Sequence, residues 1–175
     1  MRRVRYYVAM SLDAYIAGPK GEYDWIIMDP AIDFGAFFET IDTMLMGRKT
    51  FEITLSQGSG ESGMPKMRTY VFSRTLRADD HPEVTIVNDA VATVAALRAE
   101  EGKDIWLMGG GVLFHSLIEA DLVDTVEIGV IPILLGQGIP LLPAVTRSVK
   151  LELTESQIYP SGIAMLRYAV RRAAS

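Results

Sequence analysis

The 175-residue sequence contains no cysteine and only two histidines, His81 and His115. The absence of cysteine excludes disulfide bonds, thiolate nucleophiles and cysteine-ligated metal sites. Two histidines are too few for a histidine-rich metal site, and His115 falls on a predicted helix, where a packed or solvent-facing role is the more common one. We therefore predict that this protein has no metal site.

The sequence also lacks an excess of positive charge and any long apolar run. The net charge is −5 and the pI is near 5.1, with the basic residues scattered, whereas a nucleic-acid-binding surface needs clustered cations. No uninterrupted apolar stretch approaches the roughly 18 residues of a membrane span. The amino-terminal segment MRRVRYYVAM has no signal-peptide core. We expect a soluble, cytoplasmic, single-domain protein over 1–175 that binds neither nucleic acid nor membrane.

Three consecutive glycines stand in the segment IWLMGGGVLFHSLI, residues 105–118. The four apolar residues before them are short enough for a buried strand, and Leu113, Leu117 and Ile118 after them share a helical face. Glycine lets backbone N–H groups approach a ligand closely, and a helix N-terminus favours an anion. The residues alone leave two interpretations open, which are a phosphate-binding turn and a tight turn that binds nothing.

Strand and helix patterns alternate over most of the chain. The apolar patterns predict strands at 4–10, 44–46, 70–72, 84–87, 105–108 and 123–131. Helices are predicted from near Pro30, over 90–101 and after the glycines, and residues 56–65 are predicted to form a flexible loop. The segments 150–158 and 163–170 flank the turn sequence YPSG and predict a hairpin. This order predicts an α/β fold with a largely parallel sheet and an antiparallel C-terminal pair.

The common phosphate-binding fingerprints do not fit the glycines. The dinucleotide fingerprint G-x-G-x-x-G requires a glycine where Phe114 stands, and a Rossmann fold places its glycine turn after the first strand. A P-loop requires Lys and Ser/Thr where Met64 and Pro65 stand. The glycines therefore need a different structural context.

Two further predicted strands end in polar and cationic residues. The segment MLMGRKTFE (44–52) places Arg48, Lys49 and Thr50 at a helix start, and YVFSRTL (70–76) ends a strand with Ser73 and Arg74. Ligands of parallel sheets bind at the carboxyl ends of the strands. Guanidinium groups hold phosphates in forked contacts. Together with the glycine turn, these two strand ends favour a ligand that carries several phosphates.

These segments resemble the dihydrofolate reductase superfamily. The resemblance is closer to stand-alone relatives of the C-terminal reductase domain of the bifunctional riboflavin biosynthesis deaminase-reductase. It rests on YVAMSLDAYIAG, EYDWI, MLMGRKTFE, YVFSRTL and the run over 105–143, in the family's order and over nearly the whole chain. It implies a three-layer fold with a central, mainly parallel eight-stranded sheet, an antiparallel C-terminal hairpin and helices on both faces. It also implies an NADPH-dependent oxidoreductase that forms a homodimer. The apolar run VIPILL (130–135) has two interpretations, which are part of the dimer interface and ordinary sheet core.

The resemblance further implies which positions contact NADPH. Those that border the nicotinamide pocket are Ala9 and Ile16. Those that meet the pyrophosphate and the adenosine end are Gly47, Arg48, Lys49 and Thr50, and those that hold the 2′-phosphate are Ser73 and Arg74. Those that cover the pyrophosphate and the nicotinamide side are Gly109, Gly110, Gly111, Val112 and Leu113. On this hypothesis the three glycines form a backbone cradle for a dinucleotide.

The candidate catalytic residues are Asp33 and Trp25. Trp25 matches an aromatic residue that lines the substrate pocket in the family. Dihydrofolate reductases carry a carboxylate on the first helix, and an ungapped match places Ala31 there, with Asp29 and Asp33 on either side. A small gap would bring Asp33 into place as the acid.

The substrate is left open by the sequence. Riboflavin-pathway reductases commonly carry an acidic residue directly before the glycines, where this chain has Met108. Asp13, in the loop after the first strand, is a reserve candidate for the acid. The expected substrate is a pyrimidine of the 5-amino-6-(5-phosphoribosylamino)uracil type. The alternatives are a pterin, or a non-catalytic NADP(H)-binding module.

Overall fold

The computed structural model describes residues 1–56 and 64–172, so most of the predicted loop over 56–65 lies outside the described residues. The strands are β1 (Val4–Ser11), β2 (Tyr15–Ala17), β3 (Ile41–Gly47), β4 (Arg68–Phe72), β5 (Thr85–Val87), β6 (Asp104–Gly109), β7 (Thr125–Ile131), β8 (Ile139–Pro140), β9 (Lys150–Ile158) and β10 (Ala164–Arg171). The α-helices are α1 (Phe34–Glu39), α2 (Arg48–Ser56), α3 (Ala90–Ala99) and α4 (Gly111–Glu119). Within this part of the chain, each helix is too short or too polar to span a bilayer.

One eight-stranded sheet organises the molecule, in the order β5-β4-β3-β6-β1-β7-β10-β9. β10 is antiparallel to both β7 and β9, and the pairs from β5 through to β7 are parallel. The short strands β2 and β8 form a separate antiparallel pair. The predicted α/β fold, with a mainly parallel sheet and an antiparallel C-terminal hairpin, is confirmed.

Two apolar cores lie on opposite faces of the sheet. Side chains alternate along β1, so Val4 and Tyr6 pack in one core with residues of α3 and α4. Tyr7, on the other face, packs against the second core, which α1 and α2 cover with Phe37 and Phe51. This arrangement gives the three layers that the resemblance implied.

Strand bounds differ from the predicted ones by up to three residues, as in β3, which begins at Ile41 rather than at residue 44. Three further differences concern α1, α3 and the pair β2–β8. Helix α1 begins at Phe34 rather than near Pro30, because the Asp33 carboxylate accepts a hydrogen bond from the Ala36 N–H (2.9 Å) and caps the helix there. Helix α3 ends at Ala99 rather than at residue 101. The pair β2–β8 was missed because strands of two or three residues carry too little periodicity to be recognised.

The strand order reverses between β6 and β1, which are parallel neighbours in the sheet. From β1 the chain crosses through α1 to β3 on one side, and from β6 it crosses through α4 to β7 on the other side. In open α/β sheets, the crevice outside the carboxyl ends at such a switch point is where ligands bind. The glycines at the end of β6 lie at this point.

Candidate functional site

The three polar strand ends lie side by side at the carboxyl edge of the sheet. Met46 of β3 is in register with Gly109 of β6, and Gly47 is in register with Phe72 of β4. Neighbouring strands are about 4.8 Å apart, so the turns that follow β4, β3 and β6 are adjacent. The edge therefore presents Ser73–Arg74, Arg48–Thr50 and the glycine turn in one continuous line.

The glycine turn leaves an open space above its backbone. The Gly109–Gly110 peptide is cis, and Gly110 precedes the first residue of α4. A Cβ atom added to Gly110 would meet only Thr50 Oγ1, at 3.6 Å, and one added to Gly47 would meet only the Gly110 nitrogen, at 3.9 Å. Helix α4 forms its first backbone bond from Phe114 N–H to the Gly110 carbonyl (3.0 Å), which leaves the preceding N–H groups for a ligand.

The first turn of α4 can contact a ligand mainly through its backbone. A Cβ on Gly111 would lie 2.8 Å from the Pro140 carbonyl oxygen, so this glycine is required by packing against the segment that contains β8. The Leu113 side chain is buried in the core, whereas Val112 is 75% exposed. Of these three predicted residues, only Val112 has its side chain available at the surface.

A cationic cavity of about 540 Å³ adjoins the start of α2. It is bounded by Arg48, Lys49 and Glu52 of α2, by Lys20 of the loop after β2, and by Pro19, Gly21, Ile53, Ser56 and Ile139. Arg48 is paired with Glu52 (2.9 Å), whereas both lysines are exposed. Three cations against one carboxylate favour an anionic ligand here.

The turn after β4 presents one arginine to solvent. Ser73 Oγ accepts hydrogen bonds from the N–H groups of Thr75 (3.1 Å) and Leu76 (3.0 Å), which fixes the turn. Arg74 is exposed and has no ion pair or side-chain hydrogen bond within the described residues. Its guanidinium is therefore free to bind a phosphate, while Ser73 also has a structural role.

The loop after β1 is braced against the segment after β7. Asp13 accepts hydrogen bonds from Ser11 Oγ (2.7 Å) and from the N–H groups of Leu135 (3.1 Å) and Gly136 (2.7 Å). The Ser11 bond and then these backbone bonds hold the pKa of Asp13 below its usual range. Asp13 thus positions Ile16 of β2 near the end of β1, which carries Ala9.

A second cavity, of about 470 Å³, lies between α1 and the C-terminal hairpin. Its lining residues are Arg3, Arg5, Tyr7, Ala31, Ile32, Asp33, Ala36, Phe37, Thr40, Thr125, Glu127, Glu155, Gln157, Tyr159, Met165 and Arg167. Asp33 is at its rim, with Oδ1 engaged in capping α1. We call this space the α1 cavity.

The other residues near the predicted acid have structural contacts. Trp25 is not among the residues that line the α1 cavity, and its indole N–H donates to the Glu22 carbonyl (3.0 Å). Asp29 is buried and accepts from the N–H groups of Ala31 (2.9 Å) and Ser161 (3.1 Å). The Ser161 side chain first, and then the backbone N–H of Ala31, lower the pKa of Asp29. Asp29 therefore ties the segment before α1 to the hairpin turn.

Sequence reasoning missed the buried charges on the floor of the α1 cavity. Glu127 is 2% exposed, and its two oxygens accept from Arg5 Nε (2.7 Å) and Nη2 (2.8 Å), Thr125 Oγ1 (2.9 Å) and Arg167 Nε (3.1 Å). Burial alone would raise the pKa of Glu127, but the hydrogen bonds and charge of Arg5 and the charge of Arg167 outweigh it and lower the pKa. The sequence feature that could have indicated these buried charges is Arg5, a charged residue inside a predicted buried strand.

A family model and a bacterial relative both match nearly the whole chain. The model of the RibD C-terminal domain matches residues 2–165. The uncharacterized protein YyaP of Bacillus subtilis (strain 168) is 34% identical over 177 residues, which cover 95% of this chain and 94% of YyaP.

Solved structures show the same fold. A putative riboflavin biosynthesis protein from Shewanella sp. PV-4 has a TM-score of 0.83 at 28% identity, with 98% of this chain and all of that chain covered. A dihydrofolate reductase from Enterococcus faecalis, complexed with NADP(H) and RAB-propyl, has a TM-score of 0.71 at 22% identity, with 97% of each chain covered.

Proposed function

Because the chain belongs to the RibD C-terminal domain family, we propose that it is an NADPH-dependent reductase of a small heterocycle, of the 5-amino-6-(5-phosphoribosylamino)uracil reductase type. The observation that carries this proposal is the carboxyl edge of the sheet, where the glycine turn and two arginine-bearing turns are adjacent at the switch point. The family itself supports an oxidoreductase.

The residues at this edge fit a phosphorylated dinucleotide. The open space above Gly110, which a Cβ would enter, suits a pyrophosphate on backbone N–H groups. Arg48 and Lys49 would neutralise it, and Arg74 would bind a 2′-phosphate beside Ser73. Ala9 and Ile16 would border the nicotinamide, which supplies the hydride when bound.

Asp33 is proposed to supply or relay the proton that accompanies hydride transfer. It lines the α1 cavity, and only its Oδ1 is used by the helix cap. Trp25 as a residue that lines the substrate pocket stays a prediction from the family resemblance.

We expect Asp33→Asn to lower kcat by roughly 100-fold or more, which is the usual cost of losing a general acid. Asparagine caps helices as well as aspartate does, so the melting temperature should stay unchanged. Asp33→Ala is the companion variant, and it should also lose about 1 kcal/mol of stability with the cap. Steady-state kinetics and thermal melts measure both, and an unchanged kcat for Asp33→Asn would remove this residue from proton transfer.

The activity itself is tested by NADPH oxidation across a panel of aminopyrimidines and pterins. Turnover of the ribosylated aminouracil supports the proposal, and turnover of a pterin alone would reassign the substrate. Tight NADPH binding without turnover of any member would identify a cofactor-binding module.

Arg74→Ala should weaken NADPH binding and leave NADH binding nearly unchanged. A lost charge-assisted contact to the 2′-phosphate costs about 1.5–3 kcal/mol, or roughly 10–150-fold in Kd. Arg77→Ala is the matched control, since Arg77 is an exposed arginine three residues further along. Titration of each variant with both cofactors measures the effect, and equal affinity of the unaltered protein for NADPH and NADH would refute the assignment.

The proposed partners are the small substrate and a second copy of the chain. The homodimer rests on the family resemblance. Only part of the run over 130–135 is accessible to a partner, since Ile131 is buried whereas Leu134 is 69% exposed. Analytical ultracentrifugation tests this proposal.

A further inference from the structure

The floor of the α1 cavity is a row of polar side chains across four strands. Tyr7 of β1 is in register with Glu127 of β7, which is in register with Arg167 of β10, and Arg167 is in register with Glu155 of β9. Because side chains alternate along strands, these residues share the sheet face that α1 covers. We call them the cross-strand row.

The α1 cavity is lined both by Tyr7 of the cross-strand row and by Asp33, the proposed acid. Two residues further along the same strands, Ala9 is in register with Gly129. The Met165 methyl group packs over Gly129, 3.4 Å from where a Cβ would lie, and closes this side of the cavity. A substrate that takes its proton from Asp33 in this cavity would therefore reach Tyr7.

The Tyr7 side chain is fixed in place but its hydroxyl is free. Its ring packs at 4.5 Å from the Phe37 ring, and its backbone carbonyl accepts the Trp106 indole N–H (3.1 Å). Within the described residues, its hydroxyl makes no hydrogen bond, and the half-buried side chain lines the α1 cavity, where a ligand can accept from it. Burial first, and then the charge of Glu127, raise the pKa of Tyr7 to about 12, so the hydroxyl is a donor at neutral pH.

The groups beside Tyr7 define what it can bind. Both Glu127 oxygens are occupied by arginine and threonine donors, so Glu127 offers no free acceptor. Arg167 uses Nε for Glu127 and Nη1 for Glu155 (2.5 Å), and its Nη2 is left over. Among the described residues, the Tyr7 hydroxyl and Arg167 Nη2 are therefore two donors of cavity-lining residues that are left for a ligand.

We propose that Tyr7, supported by Arg167, is a specificity-determining residue that donates a hydrogen bond to a carbonyl edge of the substrate ring. This inference rests on the proposed reductase function, because it requires the substrate to lie between the cofactor edge and the cross-strand row. A ring that presents carbonyl acceptors satisfies both donors, whereas one that presents only amino groups leaves them unpaired.

The test compares Tyr7→Phe with Tyr6→Phe. Tyr6 is the matched control, because it precedes Tyr7 on the opposite sheet face, stacks on Phe114 at 3.9 Å and has a buried hydroxyl without a partner. The probes are 5,6-diaminouracil, which has two carbonyls, and 2,4-diaminopyrimidine, which has none. Calorimetric titration in the presence of saturating NADPH measures both affinities for each protein.

We expect the unaltered protein and Tyr6→Phe to prefer 5,6-diaminouracil. Tyr7→Phe should weaken the uracil by about five- to tenfold and change the diaminopyrimidine little, so the preference falls. A general structural disturbance would weaken both probes together. An unchanged preference in Tyr7→Phe, or no preference in the unaltered protein, would overturn the assignment of Tyr7.

The NADPH titrations that precede each experiment keep the two proposals separate. If NADPH does not bind, the proposed function fails, and the probe titrations repeated without cofactor still decide the role of Tyr7. If NADPH binds and the preference is unchanged, only the role of Tyr7 fails.

Discussion

Gly110→Ala is expected to abolish NADPH binding in a protein that still folds. The added Cβ would meet only Thr50 Oγ1, at 3.6 Å, and the φ and ψ of −101° and −172° are open to any residue. The methyl group would stand where the pyrophosphate must approach the backbone N–H groups. Loss of two charge-assisted contacts, about 3 kcal/mol, corresponds to roughly 100-fold or more in Kd.

Fluorescence titration with NADPH and a thermal melt of the same samples measure this result. Gly111→Ala is the contrasting variant, because its Cβ would lie 2.8 Å from the Pro140 carbonyl oxygen and should therefore lower the melting temperature. Normal NADPH affinity in Gly110→Ala would show that the glycines serve only as a structural turn.

Glu127→Ala is expected to have the largest effect on stability. It would leave the Arg5 guanidinium, 7% exposed, without the carboxylate that accepts two of its hydrogen bonds. Removing one partner of a buried ion pair costs about 3–5 kcal/mol. Urea unfolding of the variant and the unaltered protein measures the difference in free energy of unfolding.

Two further variants show whether burial of the carboxylate causes this loss of stability. Glu155→Ala removes a carboxylate that also pairs with Arg167 but is 57% exposed, and should cost about 1 kcal/mol or less. The double variant Arg5→Met with Glu127→Leu removes both buried charges and should recover much of the lost stability. A loss in Glu155→Ala as large as that in Glu127→Ala would contradict this account.

The same ion pair contributes to the pH dependence of folding. Because the pKa of Glu127 is lower in the folded protein than in the unfolded chain, its contribution is present above a pH of about 4.5. It is lost as the pH falls from there through the folded pKa. The double variant should therefore show a shallower decline of stability in acid than the unaltered protein.

The parts of the fold that have a local signal were predictable. The strand over 4–10 and the hairpin segments follow from apolar runs and turn residues, and β9 spans Lys150–Ile158 as expected. The start of α1 was misplaced because the phenylalanine spacing indicates a helix but not its first residue, which the Asp33 cap determines.

The part of the site that is formed by the turns at the strand ends was predictable from the sequence. The glycine turn and the two cationic turns each follow an apolar strand, and parallel strands bring such ends to one edge. The α1 cavity was not predictable, because Arg5 and Glu127 are 122 residues apart and meet only through strand register. The separation of Trp25 from the residues that line this cavity depends on the path of a loop, which the sequence does not specify.

The position of β1 in the middle of the sheet has a consequence for biosynthesis. Its two neighbours, β6 (Asp104–Gly109) and β7 (Thr125–Ile131), are synthesised long after β1 itself. At roughly 5–20 residues per second, the interval between Arg5 and Glu127 takes on the order of 6–24 s to translate. The nascent chain must therefore keep an apolar strand unpaired for seconds.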